Sequence, residues 1–436
     1  MAARRDGAPR RRRLRRRRFR CAHPRSIGER PVSDTDLIVR IAARGDGVTA
    51  DGRHVPLSAP GDRLLSGGGL AKGPHHVDPP CRHFPECGGC QLQQLSDEAF
   101  ADYVRDRVAG ALTGQGLTAQ EITPPHISPP RTRRRASLRA LKLGKRNVQF
   151  GFSSQGSHRM IDLQQCEILE PRLFALVAPL RALFARMLPD RQPGEADLTL
   201  VEEGVDVVLT GLAAKSLAET EMLLDFAQQN RLARLMLIED DAPLTLWEPD
   251  PATVRFGDIP VAFPPRAFLQ ATRDGEAALV EEVRHALGDA KMVADLFAGL
   301  GTFALSLAND VPGRKVYAAE AARDLVLALQ SGGNRLPGRI FPEHRDLFRR
   351  PLTPKELDRF DAVILDPPRA GARDQVEQLA ASQTPLIVYV SCNPASFARD
   401  AATLVQGGYA IERVKPVGQF RWSTHVELVA TFRRVT

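Results

Sequence analysis

The sequence lacks the features that mark membrane, secreted and repeat proteins. None of its apolar runs reaches the roughly 20 residues that a membrane-spanning helix needs. No apolar signal-peptide core follows the basic start, and no internal repeat is visible. We therefore expect a soluble, cytoplasmic protein without a membrane partner, and we take it to be a monomer.

Acidic residues are in the minority. The chain of 436 residues has 60 Lys and Arg against 52 Asp and Glu, a net charge of +8 that suits a polyanionic partner. Much of the excess lies in residues 1–33, where ten residues read RRRLRRRRFR (Arg11–Arg20). Such a block repels itself, so we predict that residues 1–33 form a disordered and dispensable tail. Without this tail the chain is close to neutral, so its net charge is weak support for a nucleic-acid partner.

Cysteines are few, and most of them are clustered. In a large chain without a secretion signal, clustered cysteines more often bind metal or take part in catalysis than form disulfides. The glycines Gly88 and Gly89 allow a tight loop between two of them. Four thiolates suit tetrahedral zinc or an iron–sulfur cluster, and the spacing alone does not choose. The candidate ligands are Cys81, Cys87, Cys90 and Cys166; Cys21 lies in the tail.

The remaining cysteine follows a strand. The apolar run LIVYV (Leu386–Val390) reads as a strand buried on both faces, and Asn393-Pro394 then forces a turn. This places Cys392 at the carboxyl end of a central strand, where open α/β sheets bind ligands. A buried structural cysteine is the alternative. A second predicted strand ends nearby in a turn stiffened by proline, within DAVILDPPRAG (Asp361–Gly371).

A third predicted strand ends in a glycine-rich loop, DLFAGLGTF (Asp295–Phe303). The third glycine of the dinucleotide fingerprint is missing, so the loop favours S-adenosylmethionine over NAD. Glu320 ends the next strand, where an acid can hold ribose hydroxyls, and Asp346 lies where adenine contacts are usual. Ordinary solvation of strand ends is the alternative for both acids.

The chain divides into four predicted regions. After the tail, residues 34–78 contain short alternating runs split by Gly turns, as expected of a five-stranded barrel of the OB type. Residues 79–265 form a central domain that contains the cysteines and a basic-faced strand pair at residues 131–152. From residue 266 to 436 the pattern alternates β and α, which predicts a parallel, doubly wound sheet.

Together these motifs resemble the RNA uracil-5-methyltransferase family, which includes 23S rRNA and tRNA m5U enzymes. The sequence departs from the family at Thr302, where many members have Asn, and at Thr272, where FFQxN is usual. The matching stretches run in family order over residues 34–436, namely Cys81–Cys90, Cys166, Phe268–Gln270, Asp295–Phe303, Glu320, Leu365–Gly371, Val390–Pro394 and His425–Glu427.

The resemblance implies a Rossmann-like methyltransferase domain, an N-terminal barrel of the TRAM type and a central iron–sulfur domain. It also implies S-adenosylmethionine as the methyl donor, a [4Fe–4S] cluster rather than zinc on the four cysteines, and a flipped uracil in RNA as the substrate. Carried over position by position, the contacts to the methyl donor are Gln270, Phe297, Thr302, Glu320, Asp346 and Asp366.

The chemistry needs a nucleophile and a base. C5 of uracil attacks a methylsulfonium only after a thiolate has added to C6, and the C5 proton must then leave. We expect Cys392 to be the nucleophile, Glu427 the general base, and Asp366 a contact to the N3/O4 edge of the uracil. The cysteine cluster favours 23S rRNA. The alternatives are a tRNA m5U enzyme, an RNA m5C enzyme, which usually has a second cysteine near Pro367, and an inactive RNA-binding or assembly factor.

Overall fold

The computed structural model describes residues 34–144, 147–157, 159–239 and 242–435. The predicted tail, residues 1–33, lies outside the described residues, and Cys21 lies there too.

The N-terminal region contains five short strands. They are arranged as a three-stranded antiparallel sheet and a separate two-stranded ladder, and an isolated bridge between Leu37 and Arg63 links the two. The number of strands agrees with the predicted barrel, and its closure stays a prediction. The strands are β1 (Ile38–Ile41), β2 (Gly47–Thr49), β3 (His54–Val55), β4 (Arg63–Leu64) and β5 (Leu70–Ala71).

The next helix begins where its cap predicts. The Ser96 side chain accepts a hydrogen bond from the Ala99 N–H at 3.2 Å, and two acids in the first turn oppose the positive end of the helix dipole. Two very short strands follow and pair with the edge of the C-terminal sheet. These elements are α1 (Asp97–Thr113), β6 (Glu121–Ile122) and β7 (His126–Ile127).

The central region is a six-stranded sheet that shares one apolar core with three helices. The first two strands pair antiparallel, and of the two only β8 carries arginines. Along β8, Ala136, Leu138 and Ala140 are buried, and arginines are among the residues that alternate with them. The spatial order is β13-β12-β11-β10-β8-β9. In chain order the elements are β8 (Arg135–Gly144), β9 (Asn147–Gly151), α2 (Pro171–Ala175), α3 (Val177–Met187), β10 (Pro193–Leu200), β11 (Val205–Thr210), α4 (Leu217–Gln229), β12 (Arg234–Glu239) and β13 (Ala242–Trp247).

The C-terminal region is the predicted doubly wound sheet. A hairpin and a helix lead into it, and five parallel strands in the order β18-β17-β16-β19-β20 form its centre. The elements are β14 (Thr253–Phe256), β15 (Ile259–Ala262), α5 (Arg273–Leu287), β16 (Met292–Leu296), α6 (Thr302–Leu307), β17 (Lys315–Glu320), α7 (Arg323–Gly333), β18 (Ile340–His344), α8 (Pro354–Leu357), β19 (Ala362–Leu365), α9 (Arg373–Ala381), β20 (Leu386–Ser391), α10 (Pro394–Gln406), β21 (Tyr409–Gly418) and β22 (Glu427–Arg434).

The order of these strands creates a crevice. The chain runs outward from β16 through β17 to β18, and then returns to the other side of β16 with β19 and β20. Loops that leave the carboxyl ends of β16 and β19 therefore diverge, and open sheets bind ligands at such a switch point. Antiparallel β22 follows β20 in the sheet and adds its own first residues to the same edge.

One apolar core includes residues on both sides of the predicted boundary between the central and C-terminal domains. The structure does not test the predicted boundaries, and they stay predictions. Leu92, Phe100 and Tyr103 belong to the same buried cluster as Leu365 and Leu428 of the C-terminal sheet. The segment around α1 therefore packs on the C-terminal sheet rather than on the central one. Within the described ranges, no helix combines the length and apolar character that crossing a membrane requires. The expectations of a cytoplasmic location and a monomer stay predictions.

Candidate active site

Cys392 lies in a short, well-anchored turn. It follows β20, whose residues are all buried, and one residue separates it from α10. The Asn393 side chain caps the helix by accepting from the Ala395 N–H at 3.1 Å. Ser391 Oγ accepts from the Asn393 N–H at 3.2 Å. The strand-end position predicted for the cysteine is confirmed, and its side chain is half-buried.

The loop after β19 is tied to this turn. Asn393 Nδ2 and Ser396 Oγ both donate to the Arg369 carbonyl at 3.1 Å. Gly371 has φ +86°, a left-handed conformation, and a Cβ there would lie 2.5 Å from Asp400 Oδ2. The glycine is therefore required both by its backbone conformation and by the close approach of α10.

The buried carboxylate of Asp400 holds the two loops together. It accepts hydrogen bonds from the Ala372 N–H at 2.9 Å and the Tyr389 hydroxyl at 2.7 Å. Arg399 Nη2 donates to the same carboxylate at 2.8 Å and to the Ala370 carbonyl at 2.9 Å. This network links β20, α10 and the loop that carries Asp366, so it fixes the position of that loop relative to Cys392.

Glu427 is the first residue of β22 and is only 3% exposed. Burial raises its pKa to about 8, and the charge of Asp366 adds to the rise. Burial also raises the pKa of Asp366 to about 7. Burial and the charges of Glu427 and Asp366 raise the pKa of Cys392 to about 11. Because charges interact over short range, these shifts reflect that the three predicted catalytic residues lie together.

Cys392 opens onto a cavity of about 450 Å³. Arg44, Arg107 and Arg369 line it and give it a positive wall. His425 also lines the cavity, and its pKa is lowered by burial and by neighbouring arginines. A cationic cavity with a thiol in its wall suits an anionic polymer that presents one group for covalent attack.

The glycine-rich loop follows β16 as predicted. Phe297 has φ +64°, and the Gly299 N–H donates to Glu320 Oε2 at 3.0 Å. Thr302 is the first residue of α6. The Phe297 ring lies 5.3 Å from the ring of Phe348, and Asp346 Oδ1 accepts from the Phe348 N–H at 3.0 Å. These residues, with Asp366, lie at the carboxyl edge of the parallel strands.

Gln270 is buried and takes part in a hydrogen-bond network that the sequence does not indicate. It is 3% exposed, and its side-chain oxygen accepts from Gln419 Nε2 at 2.7 Å. Gln419 Oε1 accepts from the Ala271 N–H at 2.8 Å, and the Gln419 side chain also hydrogen-bonds Glu427. Arg134 Nε donates to the Gln270 carbonyl at 3.0 Å. Gln419 therefore joins a predicted methyl-donor contact to the predicted general base.

Asp295 is a further candidate that the sequence pattern did not single out. It is fully buried; Oδ2 accepts from the Ala304 N–H at 2.9 Å. Its other oxygen, Oδ1, has no hydrogen-bond partner, and burial together with the charge of Asp366 raises the pKa of Asp295 to about 7. A buried carboxylate oxygen without a partner is costly, so this atom fits a cationic ligand that enters beside the glycine loop.

The four cysteines predicted to bind metal converge on one small, closed cavity. All four are free thiols. Burial raises the pKa of Cys90 to about 12 and that of Cys166 to about 11, and backbone N–H groups of Ile168 and Leu169 donate to the Cys166 sulfur. In the described ranges, no set of three or more His, Cys, Asp or Glu side chains is arranged to hold a metal ion. Metal binding therefore stays a prediction.

Comparisons with known proteins bear on the identity of this site. A family model described as tRNA (uracil-5-)-methyltransferase matches residues 342–434. An uncharacterized RNA methyltransferase of Zymomonas mobilis is 46% identical over 398 residues, which cover 91% of this chain and 99% of that protein. A 23S rRNA (uracil(1939)-C(5))-methyltransferase of Chromohalobacter salexigens is 32% identical and covers 84% of this chain and 78% of its own length.

The chain belongs to the RNA uracil-5-methyltransferase family. It is accordingly an S-adenosylmethionine-dependent RNA methyltransferase, as the resemblance implied. A solved tRNA (uracil-54, C5)-methyltransferase of Pyrococcus abyssi, in complex with S-adenosyl-L-homocysteine, matches with a TM-score of 0.68 at 22% identity. That match covers 91% of this chain and 99% of the other, and it confirms the mixed α/β methyltransferase fold.

Three residues of the candidate site were not predicted from the sequence. Asp295 is the first residue of DLFAGLGTF, but the sequence does not show that one of its carboxylate oxygens is buried without a hydrogen-bond partner. Phe348 follows Asp346 by two residues, and only the turn brings its ring against Phe297. Gln419 gave no signal, because its partner Gln270 is 149 residues away in the chain.

Proposed function

We propose that the protein transfers a methyl group from S-adenosylmethionine to C5 of a specific uridine in 23S rRNA, through a covalent bond between Cys392 Sγ and uracil C6. Two observations carry this proposal: the charges of Asp366 and Glu427 act on Cys392, and Cys392 lines a cavity with three arginines. The relative from Chromohalobacter salexigens supports 23S rRNA as the substrate. The particular uridine is left open.

The reaction follows from the positions of these three groups. The Cys392 thiolate adds to C6, and the ring electrons move toward O4 to give an enolate. C5 then forms a bond to the methyl carbon, and the bond from that carbon to the sulfonium breaks. Glu427 removes the proton from C5, the electron pair re-forms the C5–C6 double bond, and Cys392 leaves as the thiolate.

The protonation states suit these roles. A carboxylate with a pKa near 8 is a stronger base than an exposed glutamate, so Glu427 is matched to proton removal near neutral pH. Asp366, with a pKa of about 7, is partly protonated and can donate a hydrogen bond to O4 as the enolate forms. Because burial and the two acids raise the Cys392 pKa, its thiolate forms only as substrate binding changes this environment.

The methyl donor is proposed to bind at the carboxyl edge of β16–β19. Glu320 would bind the ribose hydroxyls, and Asp346 with the Phe297 and Phe348 rings would bind the adenine. Gln270, Thr302 and Asp366 complete the contacts carried over from the family. The unpaired Oδ1 of Asp295 would accept from the ammonium group of the donor.

We propose that Cys81, Cys87, Cys90 and Cys166 hold a [4Fe–4S] cluster. A set of thiol donors alone around an apolar cavity, with backbone N–H groups directed at the sulfurs, fits such a cluster. The preference for a cluster over a single zinc ion comes from the resemblance to the family. When bound, the cluster would supply structure, because methyl transfer needs no electrons.

The cluster proposal has a direct test. Purified protein should contain iron and sulfide and absorb in the visible range, and this absorbance should bleach on reduction. Stoichiometric zinc without iron would contradict the proposal.

The N-terminal regions are proposed to guide RNA. Residues 34–78 would form a TRAM-type barrel that brings Arg44 to the rim of the cavity. Residues 79–265 would form the iron–sulfur domain, whose arginine-bearing strand β8 would follow the backbone of the RNA. Residues 266–436 would form the catalytic domain. The flipped uridine would enter between these regions.

Methylation of RNA transcripts in vitro tests the function. We expect wild-type protein to form m5U in a 23S rRNA transcript, and Cys392→Ala protein to form none. Glu427→Gln protein should accumulate a covalent RNA adduct that survives denaturing electrophoresis. Preferential m5U formation in tRNA would favour the tRNA alternative, m5C would favour the cytosine enzyme, and an absence of methylated product would favour an RNA-binding factor.

A further inference from the structure

The loop between two of the clustered cysteines borders both the cysteine site and the active site. Cys87 and Cys90 line the cysteine cavity. Gly88 and Gln91, which alternate with them, line the cavity of Cys392. The same few residues therefore separate the two sites, and any movement of this loop changes the wall of the active site.

Hydrogen bonds attach this loop to the segment that precedes the general base. The backbone N–H groups of Gln91 and Leu92 both donate to the Trp422 carbonyl, at 2.8 and 2.9 Å. The Thr424 N–H donates to Gln91 Oε1 at 3.4 Å, and Gln91 Nε2 donates to the Gly88 carbonyl at 2.7 Å. Gln91 thus connects the cysteine loop to residues 422–424, a few positions before Glu427.

Side-chain packing reinforces the attachment. Trp422 is 7% exposed and packs with Cys90 and Ile168 in one small apolar cluster. It has φ +59°, which is unusual for a tryptophan, so its surroundings must hold this conformation. The neighbouring Phe420 ring lies 5.3 Å below the Arg133 guanidinium.

Arg133 is itself anchored beside the fourth cysteine. Its backbone N–H donates to the Ile168 carbonyl at 2.9 Å, two residues after Cys166. Trp422 therefore packs directly against a clustered cysteine, and Phe420 contacts an arginine that is hydrogen-bonded to the segment of Cys166. Gln419 at the start of the segment and Glu427 at its end are both buried, and their side chains hydrogen-bond each other.

We propose that the occupied four-cysteine site clamps residues 419–427 and thereby positions Glu427 for removal of the C5 proton. The proposal rests on the function proposed above. The nucleophile and most methyl-donor residues lie on β16–β20 and their loops, outside this clamp. Loss of the cluster should therefore slow elimination while addition to C6 and methyl transfer continue, so that the covalent RNA adduct accumulates.

A single-tryptophan protein tests the clamp. The chain has two tryptophans, Trp247 and Trp422, so a Trp247→Phe variant reports on Trp422 alone. The cluster would be removed from the folded protein by oxidation with ferricyanide in the presence of EDTA. We expect the acrylamide quenching of Trp422 to rise, the binding of labelled S-adenosylmethionine to persist, and turnover to fall about tenfold with accumulation of the adduct.

The outcomes separate the clamp from its alternatives. Unchanged quenching and unchanged turnover after removal of iron would overturn the proposal. Loss of S-adenosylmethionine binding together with turnover would also overturn it, since the cluster would then support the whole fold. If the loaded protein forms neither m5U nor an adduct, the proposed function fails, whereas the Trp422 readout still reports on the clamp.

A matched pair of variants tests the contact in the loaded protein. Gln91→Ala removes both side-chain bonds and should slow elimination about fivefold, with the adduct enriched. Gln164→Ala is the control, because this exposed side chain accepts from Arg82 Nη1 at 3.4 Å and lies in the same cysteine-bearing region. Equal effects of the two substitutions would contradict a specific role for Gln91.

Discussion

At the scale of single residues, the active site contains three buried acidic side chains. Asp295, Asp366 and Glu427 each have a raised pKa, of about 7, 7 and 8, and burial is the largest cause for all three. Such a set destabilises the folded protein once its members ionise, and it therefore indicates selection for reactivity rather than for stability. Cys392 lies among them, and its own pKa rises for the same reasons.

The pKa of Glu427 predicts the pH dependence of elimination. Below about pH 8 the carboxyl is protonated and cannot accept the C5 proton, so elimination should become faster as pH rises and approach a plateau above about 8. The decay rate of the methylated covalent adduct between pH 6 and 9 checks this. A rate that stays flat across the range, with binding unchanged, would contradict the assignment of the base.

The same shift predicts the pH dependence of stability. Because the folded-state pKa of Glu427 exceeds its unfolded value, the protonated group stabilises the fold at low pH, and this contribution is lost as pH rises through about 8. Glu427→Gln should therefore raise the free energy of unfolding at pH 8 by roughly 4 kcal/mol. Denaturation curves of both proteins at pH 5 and pH 8 test this, and an equal difference at both values would refute it.

At the scale of elements, the site is built from strand ends and the turns that follow them. The predictions for β16, β19 and β20 succeeded because each strand is a short apolar run that ends in glycine or proline. Those residue types act locally, so sequence alone locates the turns. The Gln419–Gln270 contact and the two-residue strands β6 and β7 depend on partners far along the chain, so no local pattern reveals them.

The turn after β19 gives a prediction at this scale. Gly371→Ala places a Cβ within 2.5 Å of Asp400 Oδ2 in a left-handed conformation, so the loop carrying Asp366 must shift. We expect turnover to fall by about two orders of magnitude. The control is Gly110→Ala in α1, an exposed helical glycine with no atom within 4 Å of the added Cβ. That substitution should leave turnover unchanged and stabilise the protein by about 0.5–1 kcal/mol.

Melting curves and initial rates of the two variants decide the question. Wild-type turnover in Gly371→Ala protein would show that the loop tolerates the shift, and the network around Asp400 would then have no part in catalysis.

At the scale of the whole molecule, three chemically different regions meet around one cavity. The turn between β1 and β2, the cysteine loop and the turn after β20 all line it, through residues that include Arg44, Gly88 and Cys392. The sequence predicted the doubly wound sheet of the C-terminal region and the turns at its strand ends. It could not predict that the three regions share a cavity, because that depends on the packing of α1 and the cysteine loop on the catalytic sheet.

The arginine-rich tail gives a prediction at this scale. Deletion of residues 1–33 removes 13 arginines and two acids, which changes the net charge from +8 to −3, so non-specific RNA affinity should fall and its dependence on salt should weaken. Turnover on the specific transcript at saturating concentration should stay the same. Binding isotherms at several salt concentrations, with turnover measured in parallel, test both parts. A loss of turnover would show that the tail takes part in recognition.

The central claim is that Cys392 activates C5 of a uridine so that its proton is replaced by a methyl group. The most direct measurement is the release of tritium from a 23S rRNA transcript labelled with [5-³H]uridine, with and without S-adenosylmethionine. The mechanism predicts release from wild-type protein that depends on the methyl donor and equals the m5U formed, and no release from Cys392→Ala protein. Methyl incorporation without tritium release, or equal release from Cys392→Ala protein, would contradict it.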